Sequence, residues 1–517
     1  MSSTAGNGGA WRVLLAFAAG ALTVFSYAPF HLALLPFATL AALFWLWQRA
    51  SSPRDAVLTG FAFGMGLFGV GISWISVALE TFGGVPPVVA FLGMLGLVIY
   101  LSLFPALAGW TVARFTQPET TARLVAGVAA WTLAEWLRGY LFTGFGWLAV
   151  GYAQVLPNYA MPLGGFAPIG GVYLVSFAVA ACAAAFVYIS NGLTVERWRA
   201  IPIGLAVVAL FFGVGSAVGR IAWTTEEGAP LAVSLVQGNV AQHEKFDPAY
   251  RTRNFEMYQR LVRSAQGRLV VLPESAFTVF LDEVPVDVLQ SLEASGRERN
   301  GDVLVGMFTI EAPLVENGDP RIYNSVLSLG MAEPQLYRKH HLVPFGEAIP
   351  LKSVFGWFIN AVLNIPLADQ ASGPARQRPF AVAGQRVAVN ICYEDVFGAE
   401  LASVASDATL FVNVTNDAWY GRSIGALQHN QIAQVRALEL GRPMLRATNT
   451  GITSAIGHDG MVLAQLPWFT QAILDVEITG RQGETPYVRW RDAFVVGFAG
   501  LVLIVVLAHS RRRRNPD

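Results

Sequence analysis

Eight stretches of this 517-residue chain stay apolar for about as long as a helix needs to cross a lipid bilayer. They lie at roughly 11–28, 31–48, 56–79, 87–113, 122–141, 164–190, 199–221 and 493–509. Crossing roughly 30 Å of hydrocarbon takes about 20 residues. With 54% hydrophobic and only 14% charged residues, much of the chain cannot form a water-facing core. The first run has no clear small-residue cleavage site and further spans follow at once, so a retained helix is expected there rather than a signal peptide.

Arginines set the expected orientation. Arg12 precedes the first run, Arg49 and Arg54 lie between the second and third, and Arg114 and Arg123 between the fourth and fifth. Arg197 and Arg199 separate the sixth and seventh, and Arg511 to Arg514 follow the last. All fall on one side of a membrane if the N-terminus is cytoplasmic, as the positive-inside rule favours. The alternate loops, such as Gly83–Pro87, are nearly free of Lys and Arg. Eight spans return the C-terminus to the cytoplasm, and the block before the last span then faces outward. The expected organisation is therefore a transmembrane domain of about seven helices over 1–221, an extracytoplasmic domain over 222–490, and a final helix with a basic tail over 491–517.

Within the spans, Gly60, Gly64, Gly66, Gly69 and Gly71 suit close helix contact. Glu135 and Arg138, three residues apart on one helical face, are costly at such depth and call for a partner. A structural ion pair and a role near a lipid headgroup are both open on the sequence alone.

The 222–490 block reads differently. LAVSLVQGNV, RLVVLPESAF, DVLVGMFTI, IYNSVLSLG, RVAVNICYED, ATLFVNVTND and MLRATNTGITSAIG are predicted strands. Helical patterns lie between some of them, at Tyr250–Ala265, Val286–Arg299 and Gln428–Leu440. Strands punctuated by helices indicate layered α/β architecture. A net charge of zero lacks the basic footprint that nucleic acid requires. The two cysteines, Cys182 in an apolar run and Cys392 in the polar block, are not expected to pair. His340 and His341 are adjacent, so their side chains diverge on a strand, and no metal-ligand spacing emerges.

Three segments of this block carry chemistry: VVLPESAF around Glu274, YRKHHLVPFGE around Lys339 and NICYED around Cys392. The chain holds only three lysines, which draws notice to one inside a motif. Each group sits at the expected end of a strand, where loops are held by a stiff sheet. A thiol needs deprotonation before it attacks, and a carboxylate can take the proton and later return it to a leaving group. A fixed ammonium stabilises the oxyanion between those events. The helix expected to begin at DVFGAELASVA would favour the Cys392 thiolate through its dipole.

These strings resemble the carbon–nitrogen hydrolase (nitrilase) superfamily, whose Glu–Lys–Cys triad is carried by a strand ending in PE, a K-x-H-L-V-P-F-G-E segment and a C-Y-E segment. The resemblance covers about 222–480. With the flanking helices, Ala134–Gly139 and Asn416–Gly421, the whole chain resembles the apolipoprotein N-acyltransferase family. The implied fold is a polytopic α-helical membrane domain of about eight spans plus a nitrilase-like αββα sandwich. Carried over residue by residue, the resemblance makes Glu274 the general base, Lys339 the oxyanion-stabilising cation and Cys392 the nucleophile. Glu347 and Glu394 become supporting carboxylates, Asn324 and Tyr393 their neighbours, and Trp419 of NDAWYG a substrate-side aromatic. Phe246 stands where the family often has Trp, and Gly146 where it often has Pro.

The implied reaction moves an acyl chain from the sn-1 position of a phospholipid, commonly phosphatidylethanolamine, to the α-amine of an apolipoprotein's diacylglyceryl-cysteine. It uses neither metal nor cofactor, and its setting is the bacterial inner membrane, both termini cytoplasmic and the catalytic domain periplasmic. The expected enzyme is a monomer whose partners are the phospholipid donor, the diacylated apolipoprotein and the bilayer. Ile349–Leu367, with Trp357 and Phe358, is markedly apolar for a water-facing segment and reads either as a lid dipping into the outer leaflet or as core packing. A membrane-tethered amidase would need only one span. A transporter with an outer binding domain would show more intramembrane charges than Glu135 and Arg138.

Overall fold

A computed structural model of the chain describes residues 7–82, 84–194, 198–313, 319–348 and 369–514. The chain divides into two units. One joins Met1–Ile75 and Phe91–Ile221 to Trp490–Asp517, and the other joins Ser76–Ala90 to Ala222–Arg489. The last helix thus belongs with the N-terminal ones. Ser76–Ala90, expected inside the 1–221 membrane domain, groups with the polar unit instead.

The first unit is helical. Five helices among the described residues are long and apolar enough to cross a bilayer: Gly9–Ser26, Pro87–Phe115, Pro162–Leu193, Ala200–Val218 and Ala493–Arg512. The pair Pro53–Gly71 and Trp74–Glu80, bent by 49°, makes six if it counts as one span. Against the eight apolar runs in the sequence, five to six helices among the described residues pass by length and apolarity. The helix Leu35–Gln48 has 14 residues, about 21 Å at ~1.5 Å per residue, short of the bilayer core. The helix Thr121–Arg138 carries Arg123, Glu135 and Arg138 within 18 residues, which lowers its apolarity.

Local chemistry sets these helices. Ser52 caps one, accepting from the Asp55 N–H at 3.2 Å with Pro53 at the first position. Thr120 caps another, accepting from the Arg123 N–H at 3.3 Å. Glycines permit close approach in lipid, where helices cannot rely on hydrophobic association. A Cβ on Gly64 would lie 2.7 Å from the Ser102 Cα, and one on Gly66 would strike the Phe17 carbonyl oxygen. Much of the remaining helical surface is apolar and uncovered, including Ile203, Leu210, Leu501 and Ile504. An apolar face of that extent suits lipid rather than water.

The second unit is a sandwich of two six-stranded sheets. The first runs β12-β1-β2-β3-β4-β5 and the second β11-β10-β9-β8-β7-β6. In chain order the strands are β1 (Thr224–Gln237), β2 (Leu269–Val271), β3 (Asp302–Glu311), β4 (Arg321–Gly330), β5 (Leu336–Arg338), β6 (Phe380–Val382), β7 (Gln385–Ile391), β8 (Leu410–Thr415), β9 (Met444–Thr448), β10 (Ser454–Ile456), β11 (Val462–Gln465) and β12 (Ala472–Gly483). Both sheets centre on parallel pairs, β1–β2–β3 and β7–β8–β9, with antiparallel strands at the margins.

Period-two alternation sorts each strand's apolar residues between two layers. Leu269 and Val271 of β2 enter the core between the sheets, with Leu410, Val412 and Val414 of β8 and Val387, Val389 and Ile391 of β7. Val270 faces the other way, onto the helices Arg251–Ser264 and Val286–Glu298 through Tyr258, Val262, Val288 and Leu292. Phe411 and Ala388 pack against Gly398–Ala405 and Ile424–Leu440 through Leu401, Ala402, Ala433 and Ala437. The order helix, sheet, sheet, helix is the αββα arrangement, and Cys392 sits at the end of its inter-sheet core.

Candidate active site

The three motif residues leave their strands at sheet ends and meet in one buried centre. Glu274 lies three residues beyond the end of β2, and Ser275 behind it takes a left-handed backbone with φ 46°. The Glu274 carboxylate is held from three sides. Asn324 of β4 donates to Oε1 at 2.7 Å, the Asn416 N–H donates to Oε2 at 2.8 Å, and the Lys339 Nζ stands 3.8 Å from Oε1.

Lys339 follows β5, which pairs with β4, so its own N–H reaches the Asn324 carbonyl at 2.8 Å. Its side chain is fully buried, and Nζ donates to Glu347 Oε1 at 2.7 Å. Burial alone would lower the pKa of this ammonium. The adjacent Glu347 and Glu274, with Cys392, outweigh that and drive it above its ordinary value. Lys339 is a fixed positive charge at any physiological pH. Glu347 is anchored by the Val343 N–H at 2.9 Å, in a turn where Phe345 adopts φ 63°.

Cys392 is the first residue past β7 and opens the 3₁₀ turn Cys392–Val396 with φ 52°. Such a conformation is costly for a side chain with a Cβ and persists only where surroundings enforce it. The Asn413 side chain does part of that, donating to the Cys392 carbonyl at 3.1 Å. The sequence led us to expect a thiolate favoured by a following helix. That helix starts only at Gly398, and burial, followed by Glu274, pushes the thiol well above its ordinary range despite the opposing Lys339. The resting sulfur is therefore a protonated thiol, and it needs a base.

The other expected residues take distinct places. Asn324 bridges the two carboxylates, reaching Glu347 Oε1 at 3.5 Å as well. Glu394 does not touch the Lys339 ammonium. It clasps the end of β7 to the lysine loop, accepting from the Ile391 N–H at 2.7 Å, Tyr337 OH at 2.9 Å, and the His340 and His341 N–H groups at 2.7 and 3.1 Å. Burial raises its pKa against those donors. Tyr393 is buried edge-on against other rings, 5.1 Å from Phe397 and 5.9 Å from His341. Phe246 is half-buried with its ring 6.5 Å from Phe308, and Trp419 is half-buried on the turn Asp417–Tyr420. Trp357 and Phe358, with the rest of Ile349–Leu367, lie outside the described residues.

Two contributors were not singled out from sequence. Lys245 is buried, and its Nζ donates to the Glu274 carbonyl oxygen at 2.9 Å. Desolvation brings its pKa down to about 8, against the pull of Glu274 and Cys392. Its rarity was the available signal, since two of the three lysines in the chain converge here. Asn416 presents its backbone to Glu274 while its side chain is tied to Gln242 at 2.8 Å and to Asn449 at 3.0 Å.

A protonated thiol, a carboxylate and a permanent cation in one buried centre can support acyl transfer through a covalent intermediate. Comparison with known proteins agrees. A family model described as the apolipoprotein N-acyltransferase N-terminal domain matches residues 19–185, and one described as carbon-nitrogen hydrolase matches 214–487. An apolipoprotein N-acyltransferase of Nitrosomonas europaea is 48% identical over 512 residues, covering 98% of this chain and 99% of that protein. Those of Methylococcus capsulatus and Chromobacterium violaceum are 41% and 40% identical, each over 97% of this chain and over 97% and 95% of their own. With two domain models in the order the structure shows and identity this high from end to end, the chain belongs to the apolipoprotein N-acyltransferase family.

Proposed function

We propose that this enzyme moves a fatty acyl chain from a phospholipid to the N-terminal amine of a diacylated apolipoprotein, through a thioester on Cys392. The observation that carries this reading is the buried Lys339, held between Glu274 and Glu347 beside a thiol that starts out protonated.

In the first half-reaction Glu274 takes the Cys392 proton as the sulfur attacks the ester carbonyl at the sn-1 position. Lys339 stabilises the oxyanion; losing such a donor typically costs ~3–4 kcal/mol of barrier. The carbonyl–oxygen bond breaks, and the lysophospholipid leaves with the proton that Glu274 returns. In the second half-reaction the acceptor α-amine attacks the thioester, the carbonyl–sulfur bond breaks, and Glu274 carries the amine proton to the departing sulfur. The product is an amide, and Cys392 is a thiol again. Glu347 keeps Lys339 aimed, while Asn324 and Asn416 keep Glu274 aimed. Phe246 and Trp419 are the half-buried aromatics offered to the acyl chains, with Trp357 and Phe358 as further candidates, while Tyr393 packs against Phe397 and His341.

A donor of phosphatidylethanolamine type and a single-chain enzyme complete the proposal. So does a bacterial inner-membrane setting, with residues 1–221 and 491–517 in the membrane and 222–490 on the periplasmic side. The arginines support that orientation. Within the helical unit Arg123 donates to the carbonyls of Trp47, Ala50 and Thr116 at 3.2, 2.9 and 2.8 Å, and the Arg12 guanidinium reaches the Arg49 carbonyl at 3.5 Å. Basic groups from different helix ends gather at one pole, as a cytoplasmic face would have it.

The test is the intact mass of protein incubated with phosphatidylethanolamine vesicles and no acceptor. One fatty acyl unit on Cys392, absent from Cys392→Ala, is expected. An unmodified Cys392 after lysophospholipid has accumulated would refute the thioester route.

A further inference from the structure

Around the turn that Cys392 opens and the loop after the neighbouring strand β8, four charged side chains form a cluster completely removed from solvent. His429 of the Ile424–Leu440 helix touches Asp395 Oδ1 through Nε2 at 2.8 Å and Asp417 Oδ1 through Nδ1 at 2.9 Å. Arg446 of β9 pairs with the second oxygen of Asp395 and reaches Asp417 Oδ2 at 3.5 Å. Asp395 lies within the 3₁₀ turn that Cys392 opens, and Asp417 lies in the loop after β8. The reaction derived above uses none of the four.

Their burial has a cost. Bringing ions out of water is unfavourable by several kcal/mol each, and a fully apolar replacement is often as stable. Fold stability alone is a poor reason to keep them. Their protonation follows from geometry. Both ring nitrogens of His429 face carboxylate oxygens, so both must carry hydrogen, and the ring is an imidazolium. Burial opposes that charge, but Asp395 and Asp417 prevail and the histidine's pKa rises. Two anions and two cations then sum to zero.

The link to the sulfur is Thr415, the last residue of β8. Its hydroxyl donates to Asp417 Oδ1 at 3.2 Å, and it stands one residue beyond the Ile391–Val414 pair of β7 and β8, at the register position of Cys392. A hydroxyl has one proton to give. Because His429 and Arg446 also bond Asp417, the Thr415 proton can leave that carboxylate and turn to the sulfur once a thiolate forms.

We propose that the His429–Asp395–Asp417–Arg446 cluster is the electrostatic seat of Cys392, a set of positioning residues that fixes its turn and keeps the charge beside the sulfur at zero, so that Thr415 can stabilise the thiolate. Cys392 is reached by Glu274, Lys339, Lys245, Asp417 and Tyr420, and the Tyr420 ring stands 5.9 Å from that of His429. The inference rests on Cys392 being the nucleophile, but its test does not depend on acyl transfer.

The test is the pH dependence of iodoacetamide alkylation at Cys392, followed by peptide mass spectrometry on the full-length protein in detergent. Asp417→Asn removes a negative charge and should lower the midpoint by about one pH unit, roughly a tenfold gain in thiolate at fixed pH. His429→Gln removes a positive charge and should raise it, and Thr415→Val, which loses the donor, should raise it too. Shifts of opposite sign from neighbours in one buried cluster are not what a purely structural role produces. Midpoints that stay put, or that move the same way in Asp417→Asn and His429→Gln, would overturn the proposal. So would loss of the folded state, seen by thermal melting, in both of those variants. If only one of them folds, the sign of its shift decides.

Discussion

Each unit of this protein buries a carboxylate and a cation close together, and puts them to different use. In the helical unit Glu135 and Arg138 lie on one face of Thr121–Arg138, and each is engaged with backbone. Glu135 accepts from the Val150 N–H at 3.0 Å, and Arg138 donates to the Phe145 and Trp147 carbonyls at 2.6 Å each. Together they pin the irregular segment between that helix and the 3₁₀ turn Val150–Gln154. In the sandwich, the Lys339 side chain finds carboxylates rather than carbonyls, and the carboxylates are in turn held by Asn324 and Asn416. A buried charge spent on backbone carbonyls fastens a loop. One held among other ionisable groups next to a thiol is available for chemistry.

Changes at the two places should therefore separate cleanly. The largest effect is expected from Lys339→Met, which removes the oxyanion cation and leaves Glu274 and Glu347 facing each other. Acyl-enzyme formation should fall by about a hundred- to a thousandfold, read as the rate of lysophospholipid release. Arg138→Met should instead lower stability by roughly 1.5–3 kcal/mol per charged hydrogen bond lost, read by thermal melting, while the rate per folded molecule stays within a fewfold. If Arg138→Met abolished thioester formation in folded protein, the division between the two uses would be wrong.

Lys245 gives an intermediate effect and a pH signature. Its folded pKa of about 8 lies below the ordinary lysine value, so its charge disappears as pH rises through 8. While charged it favours the Cys392 thiolate, so acylation should decline above pH 8. Lys245→Met should run about tenfold slower below that pH and lose this alkaline limb. A limb unchanged in the variant would remove Lys245 from the centre. The smallest effect belongs to Phe246→Trp, which restores the aromatic common in the family at a half-buried position and should change KM for the phospholipid by no more than about threefold.

Much of the sandwich was legible because its signals are local. The strings ending in Glu274 and Cys392 are apolar runs that must become buried strands, and seven such runs fall on observed strands. The amphipathic patterns at Tyr250–Ala265 and Val286–Arg299 match helices to within a residue or two at each end. What escaped depends on distant partners. β12 was not among the expected strands, and it forms where β1 offers it an edge across more than two hundred residues. Lys245 sits in a polar stretch and is buried only because the carbonyl of Glu274 awaits it. The left-handed turn at Cys392 leaves no mark on composition. In the helical unit the apolar runs were plain, but hydropathy does not show where a helix stops, and five to six of the described helices are long and apolar enough to cross a bilayer.

The most direct measurement of the proposed chemistry is a single-turnover chase. Enzyme charged on Cys392 with a labelled acyl chain, and freed of phospholipid, is mixed with a diacylated lipopeptide bearing a free α-amine. The label should leave Cys392 and appear, mole for mole, as an amide on that amine. Label that stays on the sulfur, or that leaves as free fatty acid at the same rate with and without the lipopeptide, would contradict the assignment of Cys392 as the carrier between donor and acceptor.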